Sequence, residues 1–81
     1  MLETFVQRSI VKHYRRLGYI VIRLRATDTA GIPDLLILKD GIASFIECKA
    51  PGKEPTPIQL HKHEELRKEG FKVQVIDKPI R

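Results

Sequence analysis

One cysteine, Cys48, is the whole thiol content of this chain. No disulfide can close within it, and a lone thiol fits a reducing cytosol. Long apolar runs are missing too, for nothing approaches the ~20 residues that a membrane-spanning helix needs. The opening stretch from Met1 to Phe5 lacks the basic-then-apolar pattern of a secretory leader. A cytoplasmic protein with no membrane partner is therefore expected. There is no internal repeat, linker or low-complexity segment. Zinc is not expected either: His13 stands alone, and His61 and His63 lie two apart on a predicted helix, where they share no face. What remains is one domain over residues 1–81. A domain of that size buries only roughly 60% of its unfolded surface, so a partner subunit would add to a marginal core.

Basic residues outnumber acidic ones by 15 to 10, for a net charge of +5. That balance favours a polyanionic partner. Residues 2–17 read as a helix with Leu2, Val6, Ile10 and Leu17 as its apolar stripe. Gly18 sits where a helix stops, and Arg15 and Arg16 complement the dipole in the last turn. Residues 19–25 read as a strand and 26–31 as a loop. Two further strands, 35–38 and 43–49, flank Lys39-Asp40-Gly41, which carries the Asp-Gly signal of a tight hairpin. Residues 50–55 hold Pro51, Gly52 and Pro55 and form a loop. Thr56 is placed as an N-cap, with Pro57 in the first helical position and Gln59 three residues after the cap. That helix runs to about Glu69, where Gly70 ends it, and 71–77 form a last strand. The order helix, three strands, helix, strand predicts an α/β fold with a mixed sheet flanked by helices.

Alternation puts Phe45, Glu47 and Lys49 on one strand face and Ser44, Ile46 and Cys48 on the other. Glu47 and Lys49 are then neighbours, roughly 6.6 Å apart along the backbone. Cys48 points away from both and reads as a small core residue rather than a nucleophile. The hairpin folds this strand back beside 35–38, so Asp34 falls approximately opposite Glu47 and Lys49. Two carboxylates and one ammonium thus converge at one sheet end. Metal-assisted phosphodiester hydrolysis needs such a trio. A hard cation takes oxygen ligands, commonly one or two carboxylates plus water and substrate phosphate. Such a cation lowers the pKa of a water and neutralises phosphate charge. Lys49 can orient or deprotonate the attacking water, or stabilise developing charge. Without a metal, the carboxylates would repel a phosphate.

A plainer reading is open for each residue. Pro33-Asp34 is a common turn dipeptide, and Glu47 with Lys49 can be a solvated ion pair worth under ~1 kcal/mol. Against this stands the run Leu35 to Leu38, typical of a strand buried on both faces. Charges on the strand beside it then need a reason.

The segment Gly31-Ile32-Pro33-Asp34, followed by Glu47-Cys48-Lys49, resembles the signature of the PD-(D/E)xK nucleases. In detail it is similar to their virus-type replication-repair nuclease (VRR-NUC) branch, in a minimal stand-alone form like those of phages. The similarity takes in the first helix with Glu3, residues 31–38 and 45–52, Gln59, and the Gly70-Phe71-Lys72-Val73 entry to the last strand. It implies a restriction-endonuclease-like core with Asp34 and Glu47 binding Mg²⁺ or Mn²⁺. The backbone carbonyl of Cys48 would be a further ligand, and Glu3 another, directly or through water. Lys49 would assist catalysis, and Gln59 would contact the water or the phosphate. The implied activity is an endodeoxyribonuclease of DNA repair that cleaves four-way (Holliday) junctions, in the host cytoplasm if phage-encoded.

Glu3 has the alternative of a first-turn glutamate favoured by the helix dipole. Gln59 has that of closing a capping box with Thr56. Lys53, Lys62, Arg23 and Arg25 are candidate phosphate contacts or ordinary surface charge. A homodimer is expected, since a two-fold pair buries a second surface and supplies two sites for two symmetric cuts. Phe5, Tyr14, Tyr19 and Phe71 are candidates for its interface or for the core. The alternative functions are a non-catalytic DNA-binding or nuclease-accessory module of the same fold, and a small RNA-binding protein carrying the motif by chance.

Overall fold

The computed structural model describes residues 2–80; Met1 and Arg81 lie outside the described residues. Six elements follow in the expected order: α1 (Glu3–Arg16), β1 (Ile20–Arg23), β2 (Leu35–Lys39), β3 (Ile42–Cys48), α2 (Pro57–Lys68) and β4 (Lys72–Ile76). The strands form one sheet in the order β1-β2-β3-β4. The first two pairings are antiparallel and β3 with β4 is parallel. A hairpin allows the antiparallel β2–β3 pair, while the parallel return to β4 needs the crossover that α2 provides. Asp40 and Gly41 both take positive φ, 53° and 77°, as the twist of a two-residue hairpin requires.

Helix α1 covers one sheet face. Val6, Ile10 and Val11 pack with Val21, Leu35, Ile37, Ile46 and Cys48 into the core. The stripe differs from its sequence reading: Leu2 and Leu17 are exposed. They are the two cap residues of the helix, so they project past the sheet rather than onto it, and Val11 supplies the missing contact. Leu17 and Gly18 still close the helix with backbone bonds to His13, Tyr14 and Arg15 carbonyls.

The opposite face is covered unevenly. Helix α2 packs against β4 and leaves the β1–β2 half bare. Leu35 and Ile37, under α1, are buried, whereas Leu36 and Leu38 are half-buried. The expectation of a strand buried on both faces therefore holds fully for one face only. Ile20 and Ile22, beside Leu38 and Leu36 on the uncovered side, are 62% and 41% exposed. The second helix begins as its sequence predicts. Thr56 Oγ1 accepts from the Gln59 N–H, and Gln59 Oε1 accepts from the Thr56 N–H at 2.9 Å.

Candidate active site

Asp34 enters from the loop before β2. Pro33 beside it is fully buried, and Gly31 holds a φ of +82°. A Cβ on Gly31 would lie 2.6 Å from the Ile58 carbonyl oxygen, so this loop can lie against the start of α2 only because the residue is glycine. The Asp34 carbonyl accepts from the Leu24 N–H at 2.8 Å, extending the β1–β2 ladder by one step. Its Oδ2 accepts from the Cys48 N–H, also at 2.8 Å. Two strands thus fix the aspartate.

Leu35 pairs with Ile46, which places Asp34 opposite Glu47 one step further on. Glu47 is 1% exposed. Lys49 is buried beside it, its Nζ 3.9 Å from Glu47 Oε2, and its backbone N–H bonds to the Ile76 carbonyl of β4. Asp34, Glu47 and Lys49 are therefore brought together, at the ends of the two central strands and on the face away from α1. Burial pushes the Glu47 carboxyl up to about 8. Hydrogen bonding to Asp34 and its charge add to this, as does Glu3, while Lys49 opposes them. A carboxyl so crowded with acids is one that a cation would relieve.

Glu3, in the first turn of α1, is exposed yet near enough for its charge to bear on Glu47 and Cys48. Among the described residues, no three His, Cys, Asp or Glu side chains cluster closely enough to hold an ion by themselves. The donors present suit a hard divalent cation all the same: two carboxylates, completed by a backbone carbonyl and water, are a usual Mg²⁺ set. Burial and the neighbouring acids push the Cys48 thiol up to about 12, so it stays protonated and unreactive.

Gln59 sits with its side-chain oxygen committed to the cap of α2. Of the four proposed phosphate contacts, Arg23 ends β1 beside Leu35, and its Nε is buried without a partner among the described residues. Arg25 and Lys53 are exposed in loops at the same end of the sheet. Lys62 is paired with Glu65 at 2.6 Å.

His63 belongs to the site as well, though the sequence weighed it only as a zinc ligand. Its ring is fully buried, with Nε2 3.4 Å from Glu47 Oε1. Burial lowers its pKa, helped by the charges of Arg67 and Lys49. Its place in the row Gln59, His63, Leu66, at helical spacing, marks it as inward-facing without saying what it meets.

A mixed four-stranded sheet with a helix on each face, its central strands ending in Asp34, Glu47 and Lys49, defines a restriction-endonuclease-like nuclease domain. The family model "Archaeal holliday junction resolvase (hjc)" matches residues 4–75, and the chain belongs to that family. It is 38% identical over 76 residues to "Putative nuclease p44" of Acyrthosiphon pisum secondary endosymbiont phage 1, covering 93% of this chain and 82% of the relative. A solved structure of a "VRR_NUC domain" matches with a TM-score of 0.85 at 36% identity, over 94% of this chain and 84% of its own.

Proposed function

We propose that this chain is a Mg²⁺- or Mn²⁺-dependent endodeoxyribonuclease of DNA repair that acts on four-way junctions as a two-fold homodimer. The observation that carries the reading is half-buried Asp34 set against buried Glu47 beside Lys49. In this reading Asp34, Glu47 and the Cys48 carbonyl hold the cation, with Glu3 contributing through water. The bound cation supplies a more acidic water and neutralises charge on the scissile phosphate. Lys49 orients the attacking water and stabilises the charge that grows on the phosphate oxygens. Gln59 is free to reach the water or phosphate only by leaving its cap. Arg23, Arg25, Lys53 and Lys62 ring the same end of the sheet and bind flanking phosphates, which fix position without reading sequence.

The bare apolar half of the sheet favours the dimer. Ile20, Ile22, Leu36 and Leu38 form a contiguous surface that water covers poorly, and Phe71, 40% exposed, lies edge-on to Phe45 nearby. Of the other candidates, Phe5 is exposed on α1, whereas Tyr14 and Tyr19 pack onto the core. Cleavage of labelled single-stranded, duplex, flap and four-way DNAs, with each metal and with EDTA, tests the activity. The junction should be cut fastest, in symmetric pairs, and EDTA should stop all cleavage. Equal rates on duplex would remove the junction preference, and binding without cutting would leave an accessory module. Light scattering should report twice the chain mass with and without DNA; a monomer would remove the paired-site geometry.

Lys49→Ala separates chemistry from metal binding. Its ammonium repels the cation, so calorimetric Mn²⁺ affinity should hold or improve while turnover falls at least about a hundredfold. Lost affinity with normal turnover at saturating metal would assign Lys49 to the cation instead.

A further inference from the structure

Helix α2 puts one residue into the middle of the carboxylate site that no chemistry so far described uses. We propose that His63 is a positioning residue for Glu47, donating from Nε2–H to Oε1 so that Oε2 alone is left to turn toward Lys49 and the cation. The proposal rests on the metal-dependent reading above.

The geometry distinguishes the two Glu47 oxygens. Oε1 faces His63 Nε2 at 3.4 Å, and Oε2 faces Lys49 Nζ at 3.9 Å. The first distance lies at the long end for an N–H···O bond. The Glu47 carboxylate that holds the cation is ionised and can only accept. Nε2 must then carry the hydrogen, for a bare nitrogen in that place would set lone pair against lone pair. The other ring nitrogen, Nδ1, is buried and has no partner among the described residues. A doubly protonated ring would bury an N–H there with nothing to accept it, so the neutral ring protonated at Nε2 is the species that fits.

Packing alone does not account for this side chain. His63 is 0% exposed on the inward row of a helix, where leucine would fill the space without stranding a polar nitrogen. An orphaned buried nitrogen costs stability, and such costs gather where function needs them. The benefit is orientation. The terminal torsion of a glutamate is broad, and a donor on one oxygen fixes the plane of the group. Partners of this kind, one shell out from a metal ligand, hold its orientation and basicity.

His63→Gln and His63→Leu test the assignment. Glutamine can keep an N–H donor in reach of Oε1, whereas leucine fills the volume without one. Calorimetry with Mn²⁺ should show the leucine variant weakened by roughly 10- to 100-fold and the glutamine variant within about threefold of wild type. In EDTA, the leucine variant should melt no lower than wild type, because it removes the stranded nitrogen. Wild-type affinity in the leucine variant, or equal losses in both variants, would overturn the proposal. If the leucine variant does not fold, the ring itself decides. Long-range ¹⁵N–¹H spectra of the metal-free wild type, followed through the alkaline range until the carboxylate is ionised, should show Nε2 protonated. A hydrogen on Nδ1 would overturn the proposal. Wild type that binds no Mn²⁺ would strike the metal reading instead, and the ring spectrum would still report on the donor.

Discussion

Neither Asp34→Asn nor Glu47→Gln should cut DNA at a useful rate, each falling at least about a thousandfold while the protein stays folded. The two amides keep the shape of the acids and remove the charge that would hold a cation. Asparagine also keeps an oxygen for the Cys48 N–H that Asp34 Oδ2 accepts from. The alanine variants should be equally inactive but less cleanly so. Asp34→Ala strands the Cys48 N–H, at a cost of about 1–3 kcal/mol, and Glu47→Ala opens a hole beside His63 in a small core. Circular dichroism and thermal melts in EDTA should show both amide variants folded. Wild-type rates from either amide variant in excess Mg²⁺ or Mn²⁺ would remove these residues from the site.

The second large effect is on pH dependence. In the metal-free protein, burial and Asp34 hold the Glu47 carboxyl protonated up to about pH 8, against an ordinary value of 4.5. Across that interval, the folded chain keeps a proton that the unfolded chain has given up. The stabilisation from Glu47 is therefore complete below the unfolded value and is lost as pH rises through the folded one. Thermal melts in EDTA should show wild type losing stability across this window, and Glu47→Gln losing distinctly less. The same proton competes with the cation. Apparent Mn²⁺ affinity should rise by about tenfold per pH unit below this point and level off above it, with one proton released on binding. Calorimetry in two buffers of different ionisation heat counts that proton. Affinity that does not change with pH, together with parallel stability curves for wild type and Glu47→Gln, would show that Glu47 carries no such proton.

Much of this was legible in the chain because the signals are local. A strand alternates every second residue, so Glu47 and Lys49 had to share a face and Cys48 had to oppose them. The Asp40-Gly41 turn fixed the pairing that brings Asp34 opposite Glu47. Thr56, Pro57 and Gln59 marked the start of α2 to the residue. What failed was lateral placement. No periodicity in α2 says that it lies over β4 and not over β2, so neither the bare surface around Ile20 and Ile22 nor the arrival of His63 at Glu47 could be read. Leu2 and Leu17 misled for a related reason. They match the helical period, but a helix buries only the residues that have sheet beneath them.

The β2–β3 hairpin has just two phases, because its side chains point alternately to either side. In the phase seen here, Ile46 and Cys48 face α1 while Glu47 and Lys49 face α2. A slip of one residue would keep a full ladder of backbone bonds, yet it would drive both charges into the oily layer and lift Ile46 into the place of the carboxylate. Ile46 touches no reacting group, but its need for burial is what keeps Glu47 turned the right way. The proposed site thus depends on aliphatic residues that take no part in it. A polar substitution at Ile46 would destabilise the sheet and cost the proposed site its geometry, with Asp34, Glu47 and Lys49 all still present in the sequence.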